Sequence, residues 1–458
     1  MAIRVSSNQM VYNYKKQLND ANNRKDKLME QGDGSKLHRP SDDSVAYTKY
    51  LRYDTSQQEN EQYQENVSTG ISWMKASDSA LVSMTDIQTT FKEKTVAAAN
   101  GDKTNEDMAA IGKEMEAEIQ ELVSLGNTQQ GDRYLFAGQK DTTQPFSLSE
   151  KEVKRGLAKT LSEKASNYFS DTNGKNGAED MGTVKQMLTL TGTTGTGADA
   201  KTETYYLNTK DGYIYTKDFV ENGYQQKIAQ NANAKVDPTK DAVGLLDGWT
   251  GSKDVSEYFK NTGEIINATQ TDMAATNVGT GNVAGVKFTF STVNQKIATY
   301  QGDNKLISMT KKNGTTEPTS DTVNVTGPAI WGTDIFDDEK SGNAPSGTAM
   351  LNEMLTVQKQ VVSADFSWLS DDGQTISDQA HATTVTTETQ LGARQQLYNS
   401  VATMLDNQNV LIKQDVTDVS AVDVAELATK LMEEQTVYNM SLALGARILP
   451  QSLADYLS

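Results

Sequence analysis

The segment KLHRPSDDSVA (residues 36–46) places two carboxylates directly after a proline. Asp42 and Asp43 could form a catalytic or metal-binding pair, or they could begin a helix. Pro40 disfavours helical geometry in the residue before it, and Ser41 offers a hydroxyl for the N-cap. The carboxylates would then lie in the first turn, where the helix dipole favours negative charge. We interpret the segment as the start of a long helix.

Histidine and cysteine give the chain little else for an active site. The histidines are His38 and His381, with no supporting cluster near either, and cysteine is absent from the sequence. The absence of cysteine excludes disulfides, thiolate metal ligands and cysteine nucleophiles. We therefore expect no catalytic residue, and we predict that the protein is not an enzyme.

Two glycine-rich segments resemble ligand loops only in composition. The pattern GxGxxA occurs at 279–284, but a dinucleotide site needs a strand before it and a helix after it, whereas GVKFTF predicts a strand after it. The segment DTNGKNGAEDMG (171–182) lacks the sixth-position glycine and the twelfth-position glutamate of a calcium loop. We expect no cofactor and no metal.

Charge and composition restrict the partners. The chain has 43 basic and 61 acidic residues and a net charge of −18, so it repels nucleic acid and anionic lipid, and we expect neither as a partner. A hydrophobic fraction of 36% suits thin cores, or apolar stripes buried against copies of the chain. The N-terminus lacks the apolar core of a signal peptide, and no later run reaches the roughly 20 residues that span a bilayer. Composition alone would favour the cytoplasm.

The first third of the chain has helical periodicity. One stripe on a helix comprises Val11, Tyr14, Leu18, Ala21 and Leu28, and a second comprises Val67, Ile71, Met74, Leu81, Met84 and Phe91. Because no proline interrupts 41–144, we predict one long helix that ends near Ala99, before Asn100-Gly101. A further helix is predicted from about Thr104 to Leu125.

The middle of the chain is rich in Thr, Gly, Asn and Asp and has short alternating runs. TYYLNTKDGYIYT (204–216) predicts a hairpin around Asp211-Gly212. GVKFTFSTV (285–293) and KLISMTKKNG (305–314) also alternate. We predict a β-rich domain inserted between helical ends.

The last 110 residues or so return to helical patterns. One heptad seam comprises Leu391, Tyr398, Leu405 and Ile412, with Leu397, Val401, Met404 and Leu411 assigned to the same face. A second comprises Val424, Leu427, Leu431, Tyr438, Leu442 and Leu449. Between them, Ser420 and Asp423 have capping-box spacing, which predicts that one helix ends and another begins there.

These patterns predict an α+β fold, an elongated helical bundle and coiled coil built from both termini with an inserted β-rich outer domain. We expect an inner coiled-coil layer from 1–40 and 420–458, a bundle from 41–148 and 346–419 with a β-hairpin near 131–146, and an outer domain at 149–345. The predicted inner-layer packing residues are Val11, Leu18, Leu28, Leu427, Leu431, Tyr438, Leu442 and Leu449.

Several segments resemble bacterial flagellar hook-filament junction proteins, which are relatives of flagellin. RPSDDSVA (39–46) is similar to the family's Asn-Pro-Ser-Asp-Asp-Pro-x-Ala, with Arg39 for Asn and Ser44 for the second Pro. GDRYLFAGQKDTTQPF (131–146) is similar to Gly-Arg-Tyr-Ile/Leu-Phe-Ala/Ser-Gly, with Asp132 inserted. The signature residues carried over are Pro40, Ser41, Asp42, Asp43, Arg133, Tyr134, Leu135, Phe136 and Gly138. Tyr134, Leu135 and Phe136 are expected to pin a hairpin onto the bundle.

Three later segments extend the resemblance. TYQGDNKLISMTKKNG (299–314) resembles an outer-domain hairpin of the family, and GTDIFD (332–337) resembles the return to the helices. The stretch from LGARQQLYN (391–399) to RILPQSLADYL (447–457) resembles the flagellin-superfamily ending. Flagellins instead tend to have Ser-Ala-Lys-Asp-Asp-Ala-Ala-Gly at the first site and lack the RYLFAG hairpin.

The resemblance implies a structural adaptor that forms a ring between hook and filament, with its terminal helices in coiled coils and its β domain facing outward. The implied partners are copies of the chain, a neighbouring hook-side junction protein, flagellin and a cytoplasmic export chaperone. It also implies export through the flagellar type III channel without a cleaved signal peptide, and hence an extracellular location that replaces the cytoplasmic expectation. The alternatives are flagellin itself and, more remotely, an enzyme in the outer domain. A non-flagellar surface adhesin would need an export signal or an anchor.

Overall fold

The structure is a computed structural model that describes residues 2–150, 152–170, 184–197, 200–247, 272–308, 322–332 and 349–448. It divides into two compact units. The first unit comprises Met1–Ser68 and Ser400–Ser458, and the second comprises Thr69–Asn399. Within the described ranges, no helix combines the length and apolar character needed to cross a membrane.

The helices lie mainly towards the two ends of the chain. In chain order they are α1 (Ala2–Glu30), α2 (Ser44–Ala99), α3 (Asn105–Gly126), α4 (Glu163–Phe169), α5 (Tyr224–Gln230), α6 (Pro238–Asp241), α7 (Gly327–Trp331), α8 (Ala349–Val362), α9 (Phe366–Trp368), α10 (Gln374–Ser420) and α11 (Val424–Ile448). A 3-10 turn follows α1 at Gln31–Asp33, and π turns occur at Phe219–Gly223 and Leu369–Gly373.

The strands lie between α3 and α7. They are β1 (Gln129–Gln130), β2 (Arg133–Tyr134), β3 (Phe146–Leu148), β4 (Val153–Gly156), β5 (Ala158–Thr160), β6 (Gln186–Thr194), β7 (Lys201–Leu207), β8 (Tyr213–Thr216), β9 (Gly244–Leu246), β10 (Ala275–Asn277), β11 (Lys287–Phe290), β12 (Thr292–Gln295) and β13 (Ala298–Tyr300). Helical ends around a β-rich middle confirm the predicted α+β class.

In the first unit, α1 and α11 pack against each other as antiparallel helices. Tyr14 lies against Gly445, Arg24 pairs with Glu434, and Ser35 bridges to Ala421. The least exposed positions recur in a heptad pattern on both helices: Val11, Tyr14, Leu18, Ala21, Lys25 and Leu28 on α1, and Leu427, Leu431, Glu434, Tyr438, Ser441 and Gly445 on α11. This spacing is that of a coiled-coil seam.

In the second unit, the predicted stripe of α2 is buried against neighbouring helices. Met74, Leu81, Met84 and Phe91 have no exposed surface. Thr85 donates to Glu388 at 3.1 Å, and the hydroxyls of Thr95 and Ser377 lie 3.1 Å apart, so α2 and α10 run antiparallel here.

A seven-stranded antiparallel sheet forms the centre of the β-rich region. Its order is β10-β9-β8-β7-β6-β11, and β5 also pairs with β6. The predicted hairpin at 204–216 is confirmed, because Tyr206 pairs with Tyr215 and Leu207 with Ile214, with Gly212 at φ 75°. One face buries Leu188, Leu190 and Phe288, while the other buries aromatic residues from α4, α5 and the first π turn.

Helix boundaries confirm some predictions and correct others. The predicted ends of α2 and of α3 are confirmed to within a residue, and Thr104 forms a capping box with Asp107. The predicted Ser41 cap is wrong: α2 begins at Ser44, and Asp43 accepts from the backbone N–H groups of Val45 and Ala46 at 3.0 and 2.9 Å. Asp43 takes the cap because 40–42 form a turn that places it directly before the helix.

The capping box at Ser420 is also corrected. Ser420 is the last residue of α10, and Asp423 caps α11 by accepting from the N–H groups of Ala425 and Glu426 at 2.8 and 3.1 Å. The break between the two helices is confirmed.

One prediction about a helix stripe is wrong, and two predicted segments lie partly outside the described residues. Leu397, Met404 and Leu411 were assigned to the seam of α10 but are exposed, because they lie about 100° around the helix from Leu405. In the predicted alternating run 305–314, Ser308 forms an isolated bridge with Thr322, and 309–314 lie outside the described residues. The GTDIFD segment also lies outside them after Gly332.

Candidate assembly surfaces

The seam between α1 and α11 contains most of the residues predicted to pack in an inner layer. Val11, Leu18, Leu28, Leu431 and Tyr438 are half-buried in it, and Leu427 is buried. Leu442 is 43% exposed and faces away from the seam. Leu449 lies outside the described residues. A role for Leu442 and Leu449 in inner-layer packing stays a prediction.

Polar and small residues set the register of this seam. The Nε atom of Arg24 donates to Glu434 at 2.7 Å, and this bond raises the pKa of the Arg24 guanidinium. The Lys25 ammonium lies 4.9 Å from the centroid of the Tyr438 ring. Gly445 leaves the space that the Tyr14 hydroxyl occupies, since a Cβ there would overlap it. The two helices therefore have one favoured alignment.

The α2–α10 contact in the first unit has a polar seam. Asn60 and Asn409 are buried, Asn60 donates to Gln408 at 3.4 Å, and Gln64 donates to Asp406 at 3.0 Å. Buried amides at seam positions lower stability but discriminate against shifted registers. This seam therefore favours one register of the two helices, and polar side chains make up much of it.

The segment with the two carboxylates folds as a turn between α1 and α2. Asp42 accepts from the backbone N–H groups of Arg39 and His38 at 3.0 and 3.2 Å. Both bonds lower the pKa of Asp42, and the bond from the Arg39 N–H has the larger effect. His38 lies 3.0 Å from Asp33. Both carboxylates are thus engaged by backbone, which fits a helix start rather than a catalytic pair.

The loop before this turn joins the two ends of the chain. The Lys36 N–H donates to the Ser420 carbonyl at 2.8 Å, and the Val422 N–H donates to the Gly34 carbonyl at 3.1 Å. Gly34 has φ 96°, a left-handed conformation that glycine adopts without steric cost. The break between α10 and α11 is therefore tied to the break between α1 and α2.

Most of the large apolar side chains that are exposed to solvent lie in the first unit. Among the described residues, fourteen such side chains are exposed in the first unit and five in the longer second unit. The fourteen are Tyr12, Met29, Val45, Leu51, Tyr63, Met404, Val410, Leu411, Val424, Met432, Val437, Met440, Leu442 and Leu444. Clustered exposed apolar residues are typical of interaction surfaces.

The second signature segment, 131–138, is held by backbone and side-chain contacts. Arg133 and Tyr134 form β2, and Leu135 and Phe136 have no exposed surface. The Tyr300 hydroxyl lies 2.9 Å from the Phe136 carbonyl, to which it can donate. Leu135 and Phe136 thus lie in the interior, next to a chain segment that the resemblance singled out separately.

Gly138 allows the segment that contains Tyr300 and Asp303 to lie close to the hairpin. It has φ 71°, and an added Cβ would overlap the carboxylate and carbonyl of Asp303. The Asp303 carboxylate accepts from the Gln139 N–H at 2.8 Å, and the Asp303 N–H donates to the Ala137 carbonyl at 3.0 Å. Arg133, by contrast, makes an exposed ion pair with Asp141 at 3.2 Å.

Sequence reasoning missed a buried polar cluster at the base of the inserted region. Arg155 of β4 donates to Glu353 of α8 at 2.9 Å, and both residues are 1% exposed. The Asn352 side chain accepts from the Ala298 N–H at 2.8 Å and donates to its carbonyl at 3.2 Å, as a neighbouring strand would. Gln295 donates to the Asn352 carbonyl at 2.9 Å. No local pattern in the sequence predicts this cluster, because Arg155 and Glu353 lie 198 positions apart.

The described residues contain no group of three or more His, Asp or Glu side chains that could hold a metal ion. The GxGxxA pattern lies in a turn before β11, so the predicted strand after it is confirmed. The calcium-like segment 171–182 lies outside the described residues.

Both ends of the chain match a known family. Residues 5–141 match the bacterial flagellin N-terminal helical region, and residues 375–457 match the bacterial flagellin C-terminal helical region. These two stretches contain most of α1, α2 and α3 at one end and most of α10 and α11 at the other.

Two curated relatives have the same name. The chain is 31% identical over 115 residues to flagellar hook-associated protein 3 of Escherichia coli and 30% identical over 114 residues to that of Salmonella typhimurium. Each match covers 25% of this chain and 36% of the relative, so the chain matches little more than a third of the length of either.

The crystal structure of flagellar hook-associated protein 3 from Legionella pneumophila is also similar. It is 13% identical, with a TM-score of 0.37, and the match covers 81% of this chain and 98% of that one.

Proposed function

We propose that this chain, which has both terminal helical regions of bacterial flagellin, is a structural protein of the bacterial flagellum that joins hook to filament. The observation that carries the proposal is the pairing of the two flagellin-like ends. They lie at opposite ends of the sequence, yet α1 and α11 pack together along a heptad seam. The names of the curated relatives support the position at the hook.

We further propose that the chain associates with copies of itself through 1–40 and 420–458 to form an inner layer, within a ring of subunits. Eight exposed apolar residues on α1 and α11 support this, because the pairing of these two helices leaves them in water: Tyr12, Met29, Val424, Met432, Val437, Met440, Leu442 and Leu444. Burying apolar surface contributes roughly 25 cal/mol per Å², so repeated contacts between such pairs would stabilise an assembly. The bundle and outer-domain boundaries, at 41–148 with 346–419 and at 149–345, belong to the same proposal.

The proposed partners follow from this position. They are a hook-side junction protein, flagellin and a cytoplasmic export chaperone that covers the apolar C-terminal stripe before export. The proposed location is extracellular, in the flagellum, after export without a cleaved signal peptide. The role needs no cofactor and no catalysis.

Flagellin is the second candidate, because the two family matches are to flagellin regions. The two functions differ in self-assembly. Purified flagellin should polymerise into long filaments, whereas a junction protein should remain in short assemblies under the same conditions.

Immunolabelling of flagella in the electron microscope tests the proposal. We expect antibody raised against the inserted region to label one narrow band between hook and filament. Label along the whole shaft would establish flagellin instead, and flagella without label would overturn both candidates.

A further inference from the structure

A cavity of about 400 Å³ lies in the second unit, beside strand β5. Its walls come from β5 and α4 on one side and from two π turns on the other, Phe219–Gly223 and Leu369–Gly373. Cavities of this size suit small ligands or single side chains. The flagellar role proposed above does not use it.

The two π turns share a sequence pattern. One reads Phe-Val-Glu-Asn-Gly and the other Leu-Ser-Asp-Asp-Gly, so an acidic residue is third and glycine is last in both. The acidic residues, Glu221 and Asp371, both line the cavity. Single π turns inside helices occur frequently at functional sites, and here two of them present carboxylates to one space.

The glycines close these turns tightly. A Cβ at Gly223 would lie 2.7 Å from the Phe219 ring, and one at Gly373 would lie 3.2 Å from the Leu369 side chain. A side chain at Gly223 would therefore displace the Phe219 ring, whereas at Gly373 the Leu369 side chain would have to shift only slightly.

The lining has more accessible negative than positive charge. Its one lysine, Lys159, is 5% exposed and forms ion pairs with Asp371 and with the buried Asp372, the latter at 3.3 Å. Burial opposes the charge on Lys159, but Asp372 and Asp371 outweigh it and raise the pKa of the ammonium. The lysine charge is thus already compensated.

The other carboxylate of the cavity, that of Glu221, has weaker hydrogen-bond and ion-pair partners. Glu221 accepts from the Tyr206 hydroxyl at 2.9 Å, and the cation that it pairs with, Lys217, lies 3.8 Å away with an exposed side chain. An exposed pair at that distance is weak. Glu221 and Asp371 therefore retain oxygen lone pairs for a cationic ligand.

An apolar wall forms the smaller part of a lining that is otherwise polar. It is formed by buried Leu161, Ala165, Val220 and Tyr224. Such a wall suits methylene groups, while the carboxylates suit a charged nitrogen that donates hydrogen bonds.

We propose that this cavity binds the ammonium or guanidinium end of a short aliphatic cation, with Glu221 and Asp371 accepting its hydrogen bonds and the apolar wall covering its methylene groups. Free diamines and the side chain of a lysine or arginine in a peptide share this chemistry. The cavity selects for the head group and the short chain, whichever source supplies them.

Isothermal titration of the full-length protein tests the proposal, with putrescine, agmatine and a blocked lysine dipeptide as probes. A pH of 8 keeps Asp372 ionised, since burial raises the pKa of Asp372 to about 7. We expect saturable binding of one probe at least. Binding of the free amines alone, or of the peptide alone, supports the proposal and identifies the source.

Two variants locate the binding. Glu221→Gln and Asp371→Asn should each weaken binding about tenfold, the usual effect of losing one charge-assisted hydrogen bond. The amide oxygen introduced by Glu221→Gln can still accept from Tyr206, so the fold should persist, which tryptophan fluorescence checks. The control is Asp378→Asn, which removes an exposed carboxylate of α10 that pairs with Lys92 of α2 and does not line the cavity.

The control should bind as the wild type does. No saturable binding of any probe, or equal binding by all three variants and the wild type, would overturn the proposal. The labelling experiment on flagella does not depend on this result, so either proposal can fail without the other.

Discussion

At the scale of single residues, Asp42 and Asp43 each accept two backbone hydrogen bonds. Asp42 binds the N–H groups before the turn, and Asp43 binds those that begin α2. In both residues one carboxylate oxygen accepts the two N–H groups, as expected of side chains that cap a turn or a helix start. The two carboxylates that suggested a catalytic or metal-binding pair in the sequence therefore hold the backbone of the turn and of the start of α2 in the structure.

The cap of α2 can be tested by comparing neighbouring residues. Asp43→Ala should lower the free energy of unfolding of the first unit by about 1 kcal/mol, because two N–H groups lose their acceptor. Ser41→Ala should change it by less than about 0.5 kcal/mol, as for an ordinary surface substitution. Urea unfolding followed by helical circular dichroism measures both, and a larger loss at Ser41 would restore the cap expected from the sequence.

Gly138 gives a second residue-scale prediction. Gly138→Ala should cost about 3 kcal/mol or more, because it adds a clash with Asp303 to the strain of a positive φ. Gly131→Ala is the matched control: Gly131 has φ 66° but open space around it, so only about 1 kcal/mol of backbone strain is expected.

Tryptophan fluorescence during urea unfolding measures this difference. All four tryptophans, at positions 73, 249, 331 and 368, belong to the second unit, as do both glycines. Equal losses at the two glycines would mean that the segment around Asp303 does not pack on the hairpin.

At the scale of elements, β4, β12 and β13 make buried polar contacts with α8. Arg155 with Glu353, Gln295 with the Asn352 carbonyl, and Asn352 with Ala298 are all buried contacts. Buried polar groups are costly unless every partner is in place. This attachment therefore favours one orientation of the strands on the helix.

The buried ion pair in this attachment can be tested by a double-mutant cycle. Arg155→Met alone should destabilise the second unit by about 3–5 kcal/mol, because it leaves the Glu353 carboxylate buried without its cation. The double variant with Glu353→Leu should recover most of that loss, since it removes both members of the pair.

The exposed pair of Lys359 and Glu152, at 3.2 Å, is the control on the same helix. Lys359→Met should cost less than about 1 kcal/mol. Urea unfolding followed by tryptophan fluorescence measures all of these variants. A double variant as unstable as Arg155→Met would show that the pair contributes more than mutual compensation.

At the scale of the whole molecule, polar and apolar surfaces are unevenly distributed. The first unit has the α1–α11 pair, the polar α2–α10 seam and most of the exposed large apolar residues. The second unit has the fully buried stripe of α2 and the sheet with cores on both faces. The first unit is thus the part that gains most from association, which is where the proposed inner layer lies.

The outward stripe of α11 separates folding from assembly. Val437, Met440 and Leu444 are spaced three and four residues apart, exposed, and away from the seam. Replacing all three by serine should leave the helical circular dichroism of the purified protein nearly unchanged but abolish incorporation into flagella. Leu431→Ser, in the seam, should instead reduce the helical signal itself. Normal flagella with the triple variant would show that this stripe is not an assembly surface.

Deleting 440–458 makes a coarser test of the same idea. The deletion should abolish assembly, because it removes part of α11 and the segment that follows. The tryptophan unfolding transition of the second unit should stay unchanged, since that unit ends at Asn399. A truncated chain that still builds junctions, seen by electron microscopy, would exclude a role for this end in the inner layer.

The sequence by itself determined the elements whose signals are local in the chain. The extents of α2 and α3, the break between α10 and α11 and the hairpin around Gly212 all follow from local patterns, because helix stripes, strand alternation and turn residues act over a few positions. The resemblance to the flagellar family also rested on short, ordered motifs, and the family matches bear out those that lie within 5–141 and 375–457.

Only the tertiary structure decided which face of each stripe is covered and which distant groups meet. Leu397, Met404 and Leu411 have the same period as the seam but lie outside it, since periodicity gives a spacing and not a direction. Arg155 and Glu353 are 198 positions apart, a separation that no local pattern spans. Ser41 and Asp43 were both plausible caps, and the path of the turn before α2 selected Asp43 because its carboxylate reaches the free N–H groups.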